Sequence, residues 1–137
     1  MLERLAAADL PVIVHGGTRF PPDAVERELL GYDFPVVLAS FGGYPLDADL
    51  MGRTLDLLDA HDRLYVDTSA VRYREILERG VLEHPDRVLF GSGAPAVHPN
   101  VGVMELLTLD VSEDLMRRVL ATNAVRIVPA LAEGADA

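Results

Sequence analysis

Four short apolar runs, each ending in a loop of small residues and followed by a helical pattern, constrain this chain more than any other feature. They begin near residues 11, 35, 63 and 87, so successive starts lie 24, 28 and 24 residues apart. That interval is what a strand, a tight connection and a short helix occupy when one such unit follows another. Pro11-Val-Ile-Val-His15 leads into Gly16-Gly17, Phe34-Pro-Val-Val-Leu-Ala39 into a loop over residues 40–43, Arg63-Leu-Tyr-Val-Asp67 into Thr68-Ser69, and Arg87-Val-Leu-Phe90 into Gly91-Ser92-Gly93. Helices are predicted over residues 23–30 and 47–60 and through Tyr73, Ile76 and Leu77. In the second of these Leu50, Met51, Leu55 and Leu58 recur at helical spacing. The strand runs are continuously apolar and do not alternate, so either both sheet faces are covered or one lines a barrel interior. The predicted fold class is α/β, with four parallel strands in a (βα)4 arrangement.

After the fourth strand the pattern predicts a loop with His98-Pro99, a short helix near residues 103–107 and a further helix from Ser112, whose first turn is acidic, to about Thr122. The segment from Asn123 to Val128 closes the fold. The expected organisation is a single domain over residues 1–129 and a frayed tail of small residues over 130–137.

The chain has 137 residues, enough for one domain with a real core. Its 22 acidic residues face 12 basic ones, every basic residue is Arg, and the net charge is −10. Such a surface repels phosphate backbones and excludes a nucleic-acid partner. Asp-rich, Lys-free composition is expected of a protein held soluble in concentrated salt, where screening weakens self-repulsion; a GC-rich genome favouring Arg codons is the competing explanation. No stretch approaches the roughly 20 apolar residues that span a membrane. The first residues mix both charge signs and carry no apolar leader, so a cytoplasmic location is expected. With no cysteine, metal ligation falls to His and carboxylates.

The ordered set Val-Ile-Val-His15-Gly-Gly, Val-Val-Leu-Ala-Ser40-Phe-Gly-Gly, Leu-Tyr-Val-Asp67-Thr-Ser, Arg87-Val-Leu-Phe-Gly-Ser-Gly-Ala-Pro95 and Leu120-Ala-Thr-Asn-Ala-Val-Arg-Ile resembles the second half of the amidohydrolase-related metal hydrolases, in the branch of the aminocarboxymuconate semialdehyde decarboxylase type. The resemblance runs over nearly the whole chain. It implies that the four strands are the fifth to eighth of a (β/α)8 barrel and that the loops after them lie on its catalytic face. It also implies a hydrolase or decarboxylase using zinc or another divalent metal, held by a His pair on the first strand, a His ending the fifth and an Asp ending the eighth.

This chain departs from that set. His15 stands where the fifth-strand ligand is implied, but Ser40 occupies the position of the sixth-strand His, and Gly93 replaces the Asp of the usual Gly-Ser-Asp-x-Pro. The first-strand pair has no counterpart here. One imidazole does not make a catalytic zinc site, which takes about three protein ligands. The metal site is therefore expected to be partial or degenerate, and no residue is assigned to catalysis.

For each candidate a plainer role stands beside the functional one. His15 is the candidate metal ligand, or a His bonded to nearby backbone. Asp67 is a candidate acid or binding group, or a carboxylate accepting bonds from neighbouring N–H groups, with Ser69 and Thr68 sharing that capping role. Ser92 and Gly93, with Ser40, are candidate ligand contacts, and the glycines either offer N–H groups to a phosphate or simply turn the chain. His98 reaches a ligand or is a solvated loop residue. Arg19 and Arg72 follow strands on the presumed active face and pair with a carboxylate ligand or with surface acids. His61 and His84 sit where helices end, and a positive imidazole there suits the helix dipole. Asn123 is expected to cap the last helix.

The expected partner is a small-molecule ligand. The expected activity is that of a hydrolase or decarboxylase completed elsewhere, and the alternative is a non-catalytic half-barrel that binds a carboxylate or phosphate or serves assembly. Open apolar strand edges at Pro11 and Arg87 call for either the missing first half of a barrel or a homo-oligomer.

Overall fold

The computed structural model describes residues 1–133. Helix α1 (Leu2–Ala8) precedes β1 (Val12–Gly17), α2 (Pro22–Leu29), β2 (Val36–Tyr44), α3 (Ala48–Ala60), β3 (Leu64–Asp67), α4 (Arg74–Glu83) and β4 (Val88–Leu89). The strands form one parallel sheet in the order β1-β2-β3-β4. This is the (βα)4 unit expected from the spacing, half of a (β/α)8 barrel.

The register separates two faces. Val36, Leu38, Leu64, Val66 and Val88 are fully or almost fully buried against the helices, together with Met51, Leu55, Leu58 and Leu77. Alternation turns Ile13, His15, Val37, Ala39, Tyr65, Asp67 and Leu89 to the opposite face, the one that a complete barrel would enclose. On β1 that face is open, and Ile13 is 72% exposed.

Local chemistry sets the element ends. The Asp47 carboxylate accepts from the Leu50 N–H at 3.0 Å and starts α3. His61 and His84 end α3 and α4. His61 Nε2 lies 3.0 Å from Glu26. His84 departs from expectation: burial, reinforced by Arg87, pushes it below its ordinary value of 6.5, so it sits in the fold as a neutral imidazole. Arg87 Nη2 donates to its Nδ1 at 3.2 Å.

Strand β2 runs through the expected loop over residues 40–43 and ends only at Tyr44. It does so through three consecutive left-handed residues, Ser40 (φ 55), Phe41 (φ 50) and Gly42 (φ 68). For Ser40 and Phe41 this conformation costs about 1 kcal/mol each. Complete burial of Phe41, whose ring covers Gly80, helps to offset it.

The C-terminal segment also differs from expectation. After α5 (Pro99–Leu107), helix α6 (Glu113–Arg117) passes through a π-helical turn (Arg118–Thr122) directly into α7 (Asn123–Ile127). Asn123 therefore caps nothing. It has helical backbone angles and is fully buried, and its Nδ2 donates to the carbonyls of Pro85 at 2.8 Å and Val88 at 2.9 Å. The wide turn has a use: the Asn123 N–H reaches back to Arg118 O, and the Val119 carbonyl accepts from Phe90 N–H at 2.9 Å, docking the end of β4. Arg118 and Arg126 both pair with Asp86, which burial would raise but the two guanidinium groups hold below its ordinary value. The tail expected to fray contributes α8 (Ala130–Glu133), and residues 134–137 lie outside the described residues. No helix among the described residues is long and apolar enough to cross a membrane.

Candidate functional site

The C-terminal ends of the strands gather most of the candidates into two groups. The first centres on Asp67, the last residue of β3. Its Oδ1 accepts from the Ser40 N–H at 2.9 Å, the Ser69 N–H at 2.9 Å and the Ser69 hydroxyl at 2.5 Å. Because the Ser69 hydroxyl donates to Asp67, the Ser40 hydroxyl, 3.1 Å away, is the donor in the contact between the two serines. Thr68, beside it, accepts from the Gly91 N–H at 3.1 Å. A Cβ on Gly91 would come within 2.8 Å of the Asp67 carboxyl, so only glycine lets the β4 loop approach so closely. Asp67, Ser40 and Ser69 thus form one bonded cluster across the ends of β2 and β3, with the β4 loop laid against it.

The second group lies at the open edge. His15, exposed at the end of β1, packs its ring on Tyr44 with centroids 4.5 Å apart and planes tilted by 57°. The ladder between β1 and β2 bulges after His15 and resumes at Gly17 opposite Tyr44. Gly17 N–H then donates to Phe20 O and Thr18 N–H to Tyr44 O, each at 3.1 Å. These bonds form one wall of a cleft of about 400 Å³ lined by His15, Gly17, Thr18, Arg19, Phe20 and Tyr44.

The remaining candidates stand apart. The Ser92 hydroxyl accepts from the Ala94 N–H at 3.2 Å, and the Gly93 carbonyl from the Val97 N–H at 3.1 Å, with Gly93 left-handed at φ 71. The next helix starts only at Pro99, so this glycine turn is not a helix N-terminus. His98 is exposed and caps α5, its Nδ1 accepting from the Asn100 N–H at 3.2 Å. Arg72 is paired with Glu105.

The zinc implied by the sequence resemblance does not find its ligands here. Among the described residues no three His, Asp or Glu side chains lie close enough together to hold a metal ion. His15 stands without such companions, and Oδ1 of Asp67 is already committed to three donors.

Tyr44, Thr18 and Phe20 were not singled out from the sequence. Their only linear signal is the pair of glycine doublets, Gly16-Gly17 and Gly42-Gly43, that let the two loops meet. A Cβ on Gly17 would lie 2.1 Å from the Tyr44 carbonyl oxygen.

No curated relative was found for the chain. Among solved structures it is similar to an uncharacterised TIM-barrel protein from Bordetella bronchiseptica, at 21% identity and a TM-score of 0.79, over 93% of this chain and 48% of that one. It is also similar to 2,6-dihydroxybenzoate decarboxylase from Rhizobium, at 15% identity and a TM-score of 0.67, over 93% of this chain and 54% of that one. A third similar structure is 5-carboxyvanillate decarboxylase from Sphingomonas paucimobilis, at 16% identity and a TM-score of 0.62, over 92% of this chain and 51% of that one. The chain spans about half the length of these proteins. The family model described as amidohydrolase matches residues 1–130, and the chain belongs to the amidohydrolase family.

Proposed function

We propose that this chain forms one side of the small-molecule site of an amidohydrolase-type hydrolase or decarboxylase, is degenerate at the metal centre, and needs a further half-barrel to complete it. The observation that carries this reading is the unfinished interior face: Ile13 and His15 are exposed on that face of an edge strand, His15 nearer the C-terminal end of the sheet where barrels of this class place their chemistry. The names of two similar structures, both decarboxylases, favour decarboxylation within that class. The completing half is either the first half of such a barrel or a second copy of this chain. The acidic, Lys-free composition supports a salt-adapted protein.

One observation favours a non-catalytic alternative, a module that binds a small carboxylate or phosphate or serves assembly. Ser40 is buried and turned to Ser69, and Gly93 offers no side chain, so neither supplies the group that a metal-assisted reaction would use. Titration of zinc into the 137-residue chain, followed by elemental analysis after desalting, tests the degenerate centre. The chain alone is expected to retain no stoichiometric zinc; one tightly held equivalent would overturn the reading.

A further inference from the structure

Helix α5 is apolar on both sides. Its nine residues, Pro99-Asn-Val-Gly-Val-Met-Glu-Leu-Leu107, carry one charge, that of Glu105, and this carboxylate is paired with Arg72. Gly102 and Leu106 face the core, as a surface helix requires, yet Val101, Met104 and Leu107 on the other side are 42%, 59% and 57% exposed. The helices of the (βα)4 unit behave differently: among the described residues α2 and α3 expose no large apolar side chain, and α4 only Leu82. Along the exposed side Asn100, Val101, Met104, Glu105 and Thr108 line an open groove of about 420 Å³. Large apolar side chains gathered on one outward face mark a surface that another molecule covers.

Position and charge identify the occupant as a second copy of this chain. The groove shares Glu105 and Thr108 with a cavity lined also by Arg72, Arg74 and Leu77, so it lies beside α4 in the helical layer, not on the strand edges that a completing half-barrel would use. A chain of net charge −10 repels its own kind over most of its surface, and an uncharged apolar stripe is where two copies meet without opposing acids. The stripe is also self-complementary. Val101 and Leu107 stand three residues to either side of Met104, and Asn100 and Thr108 stand four to either side, which puts them all on one helix face. Two such helices laid antiparallel across a two-fold axis bring Met104 against its own copy, Val101 against Leu107 and Asn100 against Thr108. The Thr108 hydroxyl donates to Glu105 O at 2.7 Å, so its oxygen can accept from the Asn100 amide across the axis.

We infer that the chain associates with a second copy of itself through α5, as a two-fold pair centred on Met104. Apolar contact holds the pair while the net charge of each copy opposes it. Salt therefore strengthens the association, by screening the repulsion and by favouring apolar burial. The pair leaves both sheet edges open, so the half-barrel reading above stands or falls independently of it.

Sedimentation equilibrium of the chain at micromolar concentration tests this. The mass is expected to move from 14.9 kDa at low salt toward twice that value in molar sodium sulfate. Met104→Asp sets two carboxylates facing each other on the axis and is expected to weaken the pair at least about tenfold, with the fold checked by circular dichroism. Ile13→Asp, on the β1 edge, should leave the pair unchanged. Because the chain has no cysteine, a second measurement does not depend on weakening anything: Met104→Cys brings two thiols together at the axis and is expected to oxidise to a covalent dimer much faster than Leu82→Cys, exposed on α4. The inference is overturned by a chain that stays monomeric in molar salt, by a pair that Met104→Asp leaves intact or Ile13→Asp dissolves, or by equal cross-linking of the two cysteine variants. A pair that tightens as salt is removed would also overturn it, because ion pairs and not the apolar stripe would then hold the copies together.

Discussion

The main-chain N–H of Ser40 donates to Oδ1 of Asp67 at 2.9 Å, tying a left-handed residue at the end of β2 to the last side chain of β3. Two further donors from Ser69 converge on the same oxygen. Removing the carboxylate leaves part-buried donors unpaired next to a strained turn. Asp67→Ala is expected to lower stability by about 2–3 kcal/mol in urea denaturation, and Asp67→Asn, which keeps one acceptor oxygen, by about half that. An Asp67→Ala variant as stable as the parent would mean that the cluster does not hold the turn.

Asn123 carries a comparable load at the other end of β4. Asn123→Ala orphans the buried Val88 carbonyl and the part-buried Pro85 carbonyl, and a loss of about 2–3 kcal/mol is expected. Were Asn123 a helix cap instead, Asn123→Ser would preserve stability. Buried as it is, Ser is too short to reach both carbonyls, and chemical denaturation should place it close to Ala.

His84 gives the fold a pH dependence of known sign. The folded chain keeps it neutral, mainly by burial and then by Arg87, while the nearby Asp59 and Glu83 pull the other way. The unfolded chain binds a proton there near 6.5 and the folded chain only at lower pH. Its contribution is therefore complete above about pH 6.5 and is lost as pH falls toward the depressed folded value. Thermal melts of the parent should show that loss, and His84→Gln should flatten it; a parent that gains stability over the same fall in pH contradicts the assignment.

Restoring the two family side chains does not restore a metal site. Gly93→Asp has room, since the nearest atoms to an added Cβ belong to Val97 at 3.6 Å, although φ 71 costs it about 1 kcal/mol. Ser40→His enters a buried, left-handed position. The double variant is expected to hold no stoichiometric zinc by elemental analysis, because the implied first-strand ligands still have no counterpart.

The four strands were legible in the sequence because a parallel strand covered on one face by helices and on the other by a barrel interior writes itself as an unbroken β-branched run. The helix of residues 48–60 was legible for the same kind of reason, with Asp47 as its cap. The role of Asn123 was not, because the π-helical turn before it answers to the docking of Phe90 on Val119, a contact across 29 residues. The cleft was half legible. His15 and Arg19 drew notice by residue type, but Tyr44 joins them only through an irregularity in which β2 advances five residues, Ala39 to Tyr44, while β1 advances two, His15 to Gly17, and no local pattern announces such a shift. That Arg72 is paired with an acid depends on Glu105, far along the chain.

The two ends of the sheet are unequal. β1 runs over six residues, of which Gly17 is already bonded to Phe20, whereas β4 offers two, and its next N–H is already claimed by Val119. An incoming strand therefore meets a long template on one flank and almost none on the other. Were a ring closed from this half, main-chain pairing would fall mostly to β1, and the seam at β4 would rest more on side chains and loops.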